Sequence, residues 1–202
     1  MTKKAKKPEL ERLLELHRIL LQFQAIERHI CYLDKGLIKS ENDAEHSYSL
    51  TMTAWFLAQY FPHLDRDKVI RIALAHDLIE IHSGDTSVFD AVKVATKDGR
   101  EADAVVTLEK EWSDFPEMIE AVKEYKNKSS EEAKFTYALD KIMPIMLNIV
   151  NEGLGWQKHG ITFAQLHATK KDKVTYHKEI AEYYEQILEL LTQNPHYFSG
   201  KA

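Results

Sequence analysis

Helical periodicity is the feature of this sequence that most restricts the fold it can adopt. Apolar residues recur at intervals of three and four along most of the chain, while the alternation typical of strands is weak. Only 7 Gly and 5 Pro interrupt the 202 residues, so long irregular linkers are not expected. The pattern predicts an all-α, bundle-like fold with a single domain at residues 8–195, a basic flexible tail at residues 1–7 and a C-terminal tail at residues 196–202.

The expected helices are marked by their apolar faces and by capping residues. The apolar spacing of the first helix continues from Leu10 to Ile30. The long central helix contains Pro144 and is expected to kink there, because proline removes a backbone hydrogen bond. The remaining expectations are a second helix from about Asp43 to Phe61, a third from near Asp65 that ends before Gly84, an irregular or short-helical stretch at 85–99, a capping box of Ser129 with Glu132 before the long helix, and another of Thr162 with Gln165 before a helical region at 162–192.

The stretch IALAHDLIEI, residues 72–81, has the character of a buried helix but contains His76, Asp77 and Glu80. An unpaired charge in an apolar interior costs at least several kcal/mol, so these groups need a bound cation or an ordinary buried ion pair. Glu80 lies one helical turn from both His76 and Asp77. The first two residues suit a divalent cation, and Glu80 suits a general base that acts on a metal-activated water.

Two further polar residues interrupt apolar helix faces elsewhere in the chain. His46 lies in NDAEHSYSL, and Asp140 lies in YALDKIMP among apolar neighbours. Together with His76 and Asp77 they would supply two imidazoles and two carboxylates, a donor set suited to Mn, Fe, Co, Ni or Zn. From spacing alone, each histidine could equally be a hydrogen-bonded core residue, so both interpretations stay open at this point.

Three motifs in a fixed order resemble the HD superfamily of metal-dependent phosphohydrolases: AEHS, AHDLIEIHSGDT and ALDKIMP. The longer segments ENDAEHS, HDLIEIHSGDT and ALDKIMPIMLNIVNEG are similar to the small subgroup that contains 5′-deoxynucleotidases, over about residues 15–160. The resemblance implies a helical fold, a homodimer, and one divalent metal ion (Mn, Co, Fe, Ni, Zn or Mg) held by His46, His76, Asp77 and Asp140.

The same resemblance implies roles for residues around the metal ligands. Glu80 matches the acid that positions or deprotonates the attacking water, and Asp85 matches an aspartate that faces the nucleotide sugar. Arg28 lies where the subgroup has a phosphate-binding arginine, although a surface helix residue is the alternative. His29 stands where the deoxynucleotidases have tryptophan, which leaves the nucleotide contacts open. Lys141 follows Asp140, and as its helix neighbour it is expected to point elsewhere.

The resulting hypothesis is a cytoplasmic enzyme that hydrolyses (deoxy)nucleoside 5′-monophosphates to nucleoside and phosphate. The alternatives are hydrolysis of another phosphate ester or a signalling nucleotide, and a non-catalytic helical module with a structural metal. A net charge of −5 and a short basic stretch, TKKAKK, without interleaved aromatic residues argue against a nucleic-acid partner. No uninterrupted apolar run long enough for a membrane span occurs, so no membrane partner is expected either. Trp55 and Trp112 are both expected in the core.

Overall fold

The computed structural model describes residues 7–84 and 91–198, and of residues 91–94 it describes the backbone alone. Helices make up most of this part of the chain, so the predicted helical fold class is confirmed, with one small hairpin added. In chain order the elements are α1 (Leu10–Gln24), β1 (Glu27–Asp34), β2 (Leu37–Asn42), α2 (Asp43–Ala58), α3 (Arg66–Ala75), α4 (Glu80–Ser83), α5 (Ala91–Glu111), α6 (Pro116–Asn127), α7 (Glu131–Val150), α8 (Leu154–His159), α9 (Phe163–Val174), α10 (Lys178–Gln193) and a 3₁₀ turn (Pro195–Tyr197).

The hairpin is a correction to the predicted first helix. Helix α1 ends at Gln24, and Ile30 lies in β1, which pairs with β2 in antiparallel register. Lys35 and Gly36 form the two-residue turn with φ of 50° and 82°, and this left-handed pair matches the right-handed twist of a tight hairpin. The pairing shifts register between Glu27 and Cys31, and such an irregularity re-aims side chains, here including the strand residue Arg28.

The predicted third helix is interrupted where the charged residues occur. Helix α3 ends at Ala75, residues 76–79 form turns, and the short helix α4 begins at Glu80. Backbone hydrogen bonds across the break span three residues, as from the Leu78 N–H to the Ala75 carbonyl at 3.1 Å. The prediction of one continuous helix from Asp65 to Gly84 was therefore wrong. Local turn geometry replaces the α-helical ladder at His76 and Asp77.

Of the two predicted capping boxes, one is present in the structure and the other is not. Thr162 and Gln165 form the expected capping box at the start of α9. The box of Ser129 with Glu132 was wrong, because Ser130 is the cap of α7 and Glu132 instead accepts a hydrogen bond from the Asp65 backbone at 3.1 Å. Glu132 thereby ties the start of α7 to the start of α3.

Several helix boundaries differ from the expected ones. Helix α2 begins at Asp43 as predicted but ends at Ala58, three residues short of Phe61. Helix α5 already includes residues 91–99, which were expected to be irregular or short-helical, whereas residues 85–90 lie outside the described part. The last helical region divides into α9 and α10, and α7 continues through Pro144 to Val150.

Two hydrophobic clusters meet at α3 and α7. One includes Val69 and Ala73 of α3 with residues of α2, α7, α9 and α10, and the other includes Ile72 and Ala75 of α3 with residues of α1, α5 and α6. Helix α3 therefore presents adjacent faces to the two clusters. His76 follows its last residue, and Asp140 projects from α7, so the charged residues lie where the two clusters adjoin.

The outer face of α2 remains apolar and exposed. It carries Tyr48, Met52, Trp55 and Phe56, and Tyr60 follows in the turn after the helix; all five are at least 44% exposed. Trp55 is 52% exposed, so the prediction that it lies in the core was wrong. Trp112 is buried as expected, and the guanidinium of Arg12 stacks on its ring. Among the described residues, no helix is both long enough and apolar enough to cross a membrane.

Candidate metal centre and active-site cavity

Three of the predicted ligands converge in a buried cluster. His46 comes from α2, His76 from the turn after α3, and Asp140 from the middle of α7. Each offers a nitrogen or oxygen atom within 4.8 Å of the others, and all three side chains are buried. Nε2 of His46 lies 2.9 Å from Oδ1 of Asp140. This is a His/Asp group of the composition and spacing that can hold a metal ion.

Asp77, the fourth predicted ligand, adjoins this cluster through His76. Its Oδ2 lies 2.9 Å from Nε2 of His76. Consecutive side chains of a regular helix diverge by about 100°. His76 and Asp77 lie in the turns after α3, and their side chains meet at Nε2 and Oδ2. Asp77 also belongs to a second group of potential ligands, with Asp43 and Glu80, whose oxygens lie within 4.8 Å of one another.

The protonation of His76 leaves a lone pair directed into the cluster. Nδ1 of His76 lies 2.9 Å from the carbonyl oxygen of Ala73, an acceptor, so this nitrogen carries the ring proton. Nε2 is buried and has no hydrogen-bond partner among the described residues. A buried acceptor without a donor is costly unless a cation approaches it. The donor set of neutral imidazole nitrogens and carboxylate oxygens therefore fits a divalent metal ion.

A second layer of contacts orients Asp140 and keeps it ionised. The hydroxyl of Tyr125 donates to its Oδ2 at 2.5 Å, and the amino group of Lys141 donates to the same oxygen. Against the opposing effect of burial, Lys141 and His46 hold the pKa of Asp140 well below its ordinary value. The expectation that Lys141 points away was wrong, because its long side chain folds back along α7 to reach its neighbour.

Arg28 lies inside the site and not on a helix surface. Its Nη1 donates to Oδ2 of Asp77 at 2.8 Å and to Oδ1 of Asp43 at 3.0 Å, while its Nε lies 3.5 Å from Glu41. Against the effect of burial, the charge of Arg28 lowers the pKa of Asp77. Nη2 makes no hydrogen bond to the described residues, and Arg28 lines the cavity. Part of its guanidinium is thus available to a ligand.

Glu80 is buried beside two other acids at the start of α4. Its carboxyl group lies beside those of Asp43 and Asp77, with oxygens of the three residues within 4.8 Å of one another. Burial and the charge of Asp77 raise the pKa of Asp43 to about 6, although Arg28 opposes this. Neighbouring carboxyl groups that compete for one proton are typical of sites that perform acid–base chemistry.

A cavity of about 610 Å³ opens above these residues, a volume typical of ligand sites. Asp77, Glu80 and Asp140 contribute to its lining, and His29 lies at its wall with its side chain exposed. Asp85, the expected sugar contact, lies outside the described residues. The structure thus brings Arg28, His76, Asp77, Glu80 and Asp140 to one cavity, and His46 lies behind Asp140.

Several residues of this site were missed by the sequence analysis. Asp43 precedes His46 by three positions, which places both on one helix face, and this signal was available in ENDAEHS. Glu41 and Tyr125 carried no such signal, because only the hairpin and the packing of α6 bring them near. Lys170 lies in a charged run, ATKKDK, where nothing distinguishes it from its exposed neighbours.

Comparison with known proteins decides the family. The family model described as HD domain matches residues 22–181, which is well over half of the chain. The chain belongs to the HD-domain family. Its histidine–aspartate pair is His76–Asp77, and the match extends across every element from the end of α1 to the start of α10. The resemblance inferred from the three sequence motifs is confirmed.

Individual relatives of this HD-domain protein carry a more specific name. The 5′-deoxynucleotidase HDDC2 from Bos taurus is 31% identical over 136 residues, covering 66% of this chain and 65% of that protein. A 5′-deoxynucleotidase from Saccharomyces cerevisiae is 28% identical over 141 residues, covering 67% of this chain and 58% of that protein. The chain therefore matches just under two thirds of the bovine relative's length and a smaller share of the yeast one.

Solved structures show the same fold for the HD-domain chain. A protein from Magnetospirillum magnetotacticum described as a predicted metal-dependent phosphohydrolase superposes with a TM-score of 0.75 at 26% identity, covering 94% of this chain and 96% of that one. A conserved hypothetical protein from Pyrococcus furiosus superposes with a TM-score of 0.62 at 24% identity, covering 89% and 99%. The second likeness concerns the fold alone.

Proposed function

We propose that this HD-domain protein is a metal-dependent phosphohydrolase that converts deoxynucleoside 5′-monophosphates to nucleoside and phosphate. The observation that carries the proposal is the buried cluster of His46, His76 and Asp140 at the floor of a ligand-sized cavity, with Asp77 and Glu80 beside it. The names of the relatives support the choice of substrate, and the family supports the choice of reaction.

In this proposal His46, His76, Asp77 and Asp140 hold one divalent cation. The donor set does not select among Mn, Co, Fe, Ni and Zn, and Mg remains a further candidate. When bound, such a cation polarises a phosphoryl oxygen and makes water acidic enough to attack near neutral pH. The lone pair of His76 Nε2 and the ionised state of Asp140 both suit this role.

The remaining side chains of the site would handle the proton and the phosphate. Glu80 would accept a proton from the attacking water, and it lies at the cavity wall beside Asp43 and Asp77. Arg28 would donate through Nη2 to a phosphoryl oxygen while Nη1 stays on Asp77 and Asp43. The double attachment limits the rotation of the guanidinium, which would favour one orientation of the phosphate.

The sugar and base contacts rest on sequence resemblance. Asp85 would accept a hydrogen bond from the sugar 3′-hydroxyl and would crowd a 2′-hydroxyl, so deoxy substrates would be preferred. His29 would stand near the nucleoside in place of tryptophan, and its position at the cavity wall is compatible with this. A purely structural metal, the alternative inferred from sequence, would have no use for an open cavity lined by Glu80.

The proposed enzyme is a cytoplasmic homodimer. The exposed apolar face of α2, formed by Tyr48, Met52, Trp55 and Phe56 and extended by Tyr60 in the following turn, supports self-association. Contiguous apolar side chains on a protein surface commonly mark interfaces. A second copy of the chain would cover this face in a twofold arrangement, in which the same patch meets itself.

The experiment that tests the proposed reaction is phosphate release after metal replacement. Purified protein would be stripped with a chelator, reloaded separately with Mn, Co, Ni, Zn or Mg, and assayed with matched deoxy- and ribonucleoside 5′-monophosphates. Nucleoside 3′-monophosphates, cyclic nucleotides and triphosphates serve as comparison substrates. We expect metal-dependent release from 5′-monophosphates, faster for the deoxy forms. Release from cyclic nucleotides or triphosphates alone would contradict the proposal, as would no release from any monophosphate.

A further inference from the structure

Lys170 is a buried cation that neither the family motifs nor the proposed chemistry uses. It lies on α9, is only 8% exposed, and lines the same cavity as Glu80 and Asp140. Its amino group makes no hydrogen bond or ion pair with the residues that the structure describes. Burial lowers the pKa of Lys170 to about 7, and the nearby charges of Lys141 and Lys173 act in the same direction. A buried ammonium group without a partner is costly, so it indicates a missing anion.

Two other lysines at the cavity wall share this lack of an acidic partner. Lys173 lies three residues after Lys170 on the same helix face, and Lys128 caps the end of α6. Neither forms an ion pair with a described carboxylate. Burial, together with the charge of Lys141, lowers the pKa of both. We refer to Lys128, Lys170 and Lys173 as the lysine cluster.

Most acidic residues of the cavity are engaged with other groups, and Asp98 at its wall is the exception among the described residues. Glu101 forms ion pairs with Lys97 at 3.3 Å and Lys126 at 2.8 Å, and Asp140 accepts from Lys141. Asp77 and Glu80 belong to the acidic group beside Arg28. Asp98 and Glu101 partly offset the charge of Lys128, and Asp140 partly offsets the charges of Lys170 and Lys173. No described carboxylate forms an ion pair with any of the three lysines, so this end of the cavity keeps a positive field, and a bound divalent cation at the acidic end would add to it.

The lysine cluster also lies close enough to the metal centre to contact the same small molecule. Lys141, which donates to Asp140, stands 4.8 Å from the ring centroid of Tyr137, and Lys128 stands 4.4 Å from the same centroid. One aromatic ring thus separates a residue of the lysine cluster from the side chain that touches Asp140. A ligand within this cavity can contact both ends.

We propose that Lys128, Lys170 and Lys173 form an anion subsite that binds a second negatively charged group of the substrate, a phosphate or carboxylate, while its 5′-phosphate lies at the metal centre. This inference rests on the proposed function for the position of the 5′-phosphate. It narrows the substrate class to nucleotides with an anionic group in addition to the phosphate that is hydrolysed. Ammonium groups bind phosphate and carboxylate alike, so the chemistry of the subsite admits both.

The test compares three ligands that differ in one group: a deoxyuridine 5′-monophosphate, its 5-carboxy derivative, and the deoxyuridine 3′,5′-bisphosphate. Their dissociation constants would be measured by calorimetry on metal-loaded Glu80→Gln protein, which is expected to bind the ligands without hydrolysing them. The values of kcat/KM would be measured on the wild type. We expect at least one doubly anionic ligand to bind about tenfold more tightly than the parent, as charge-assisted contacts allow. The derivative that gains affinity identifies whether the second anion is on the base or the sugar.

Lys170→Met and Lys173→Met, each combined with Glu80→Gln for calorimetry, should abolish this preference. Lys171→Met, on the exposed side of the same helix, is the matched control and should keep it. Thermal unfolding checks that each variant folds. If one lysine variant does not fold, the other is compared with the wild-type cluster. Equal affinity for all three ligands, or a preference that survives both lysine variants, would overturn the subsite. Because affinity is measured without turnover, an absence of hydrolysis would contradict the proposed function and leave the subsite result intact.

Discussion

Nε2 of His76 and Oδ2 of Asp77 lie 2.9 Å apart without a hydrogen bond between them. The ring proton is on Nδ1, where the Ala73 carbonyl accepts it, so two lone pairs face each other at hydrogen-bonding distance. Arg28 is the positive group that approaches Oδ2 of Asp77, at 2.8 Å. Such a pair of acceptors is stabilised by a shared cation.

Replacing either His76 or Asp140 by alanine should remove the metal. We expect less than one tenth of the metal content of the wild type by elemental analysis after desalting, because the remaining ligands are too few for a tight site. Asp140→Ala should also lower the free energy of unfolding by about 3–5 kcal/mol, since it leaves buried His46, Tyr125 and Lys141 without their common acceptor.

The control for the metal measurement is Asp172→Ala, which removes an exposed carboxylate on α9. It should bind metal as the wild type does and unfold at the same urea concentration. Full metal occupancy in both His76→Ala and Asp140→Ala would show that the cation, if any, is held elsewhere.

Glu80→Gln should separate metal binding from catalysis. Glutamine keeps the size of the side chain and can still hydrogen-bond to Asp43, but it cannot accept a proton from water. We expect kcat to fall by about 10²–10⁴-fold with the metal content unchanged. Glu111→Gln is a matched control, because that carboxylate contacts His82 on the surface, 3.0 Å away. A Glu80→Gln protein as active as the wild type would leave Glu80 with a structural role alone.

The sequence predicted the helical fold and singled out polar residues that the structure brings together, because both follow from local patterns. Residues that interrupt an apolar face at helical spacing are visible in any single helix, and this is how His46, His76 and Asp140 were found. The site is assembled by tertiary packing of α2, α3 and α7, which the spacing within each helix does not specify. The resemblance to the family motifs was what grouped residues of these three helices into one expected site.

The errors have a common physical cause in tertiary context. Apolar spacing that continued through Ile26 and Ile30 predicted a longer helix, whereas the left-handed turn at Lys35 and Gly36 allowed a hairpin to form. Similarly, IALAHDLIEI has helical periodicity but breaks at His76, where local turns replace the helical ladder. The position of Lys141 was missed because a flexible side chain can reverse the direction that its Cα–Cβ bond sets.

Trp55→Glu should disrupt self-association of the proposed homodimer. A carboxylate in the middle of the exposed apolar face of α2 would be buried without a partner when two copies meet, which commonly costs several kcal/mol. Light scattering during size-exclusion chromatography should report a dimer for the wild type and a monomer for the variant. Val106→Glu places the same charge on α5, where Val106 is 66% exposed, and should remain dimeric. A monomeric wild type would contradict the proposed assembly directly.

The burial of Lys170 predicts a pH-dependent stability difference between the wild type and Lys170→Met. Burial lowers the pKa of Lys170 from 10.5 to about 7, with Lys141, Lys173 and Arg28 adding to the effect and Asp140 opposing it. A lysine whose pKa is lower in the folded state destabilises the fold fully below pH 7, and this penalty is relieved as the pH rises from about 7 towards 10.5.

Lys170→Met removes the penalty at every pH. Urea unfolding should therefore show the variant more stable than the wild type by at least about 1 kcal/mol at pH 6, with a smaller gap at pH 9. Lys171→Met changes an exposed amino group on the same helix and should show no such trend. A gap that stays constant from pH 6 to pH 9 would mean that the Lys170 ammonium group is already compensated in the folded protein. The positive end of the cavity would then lack the unneutralised charge on which its attraction for a second anion depends.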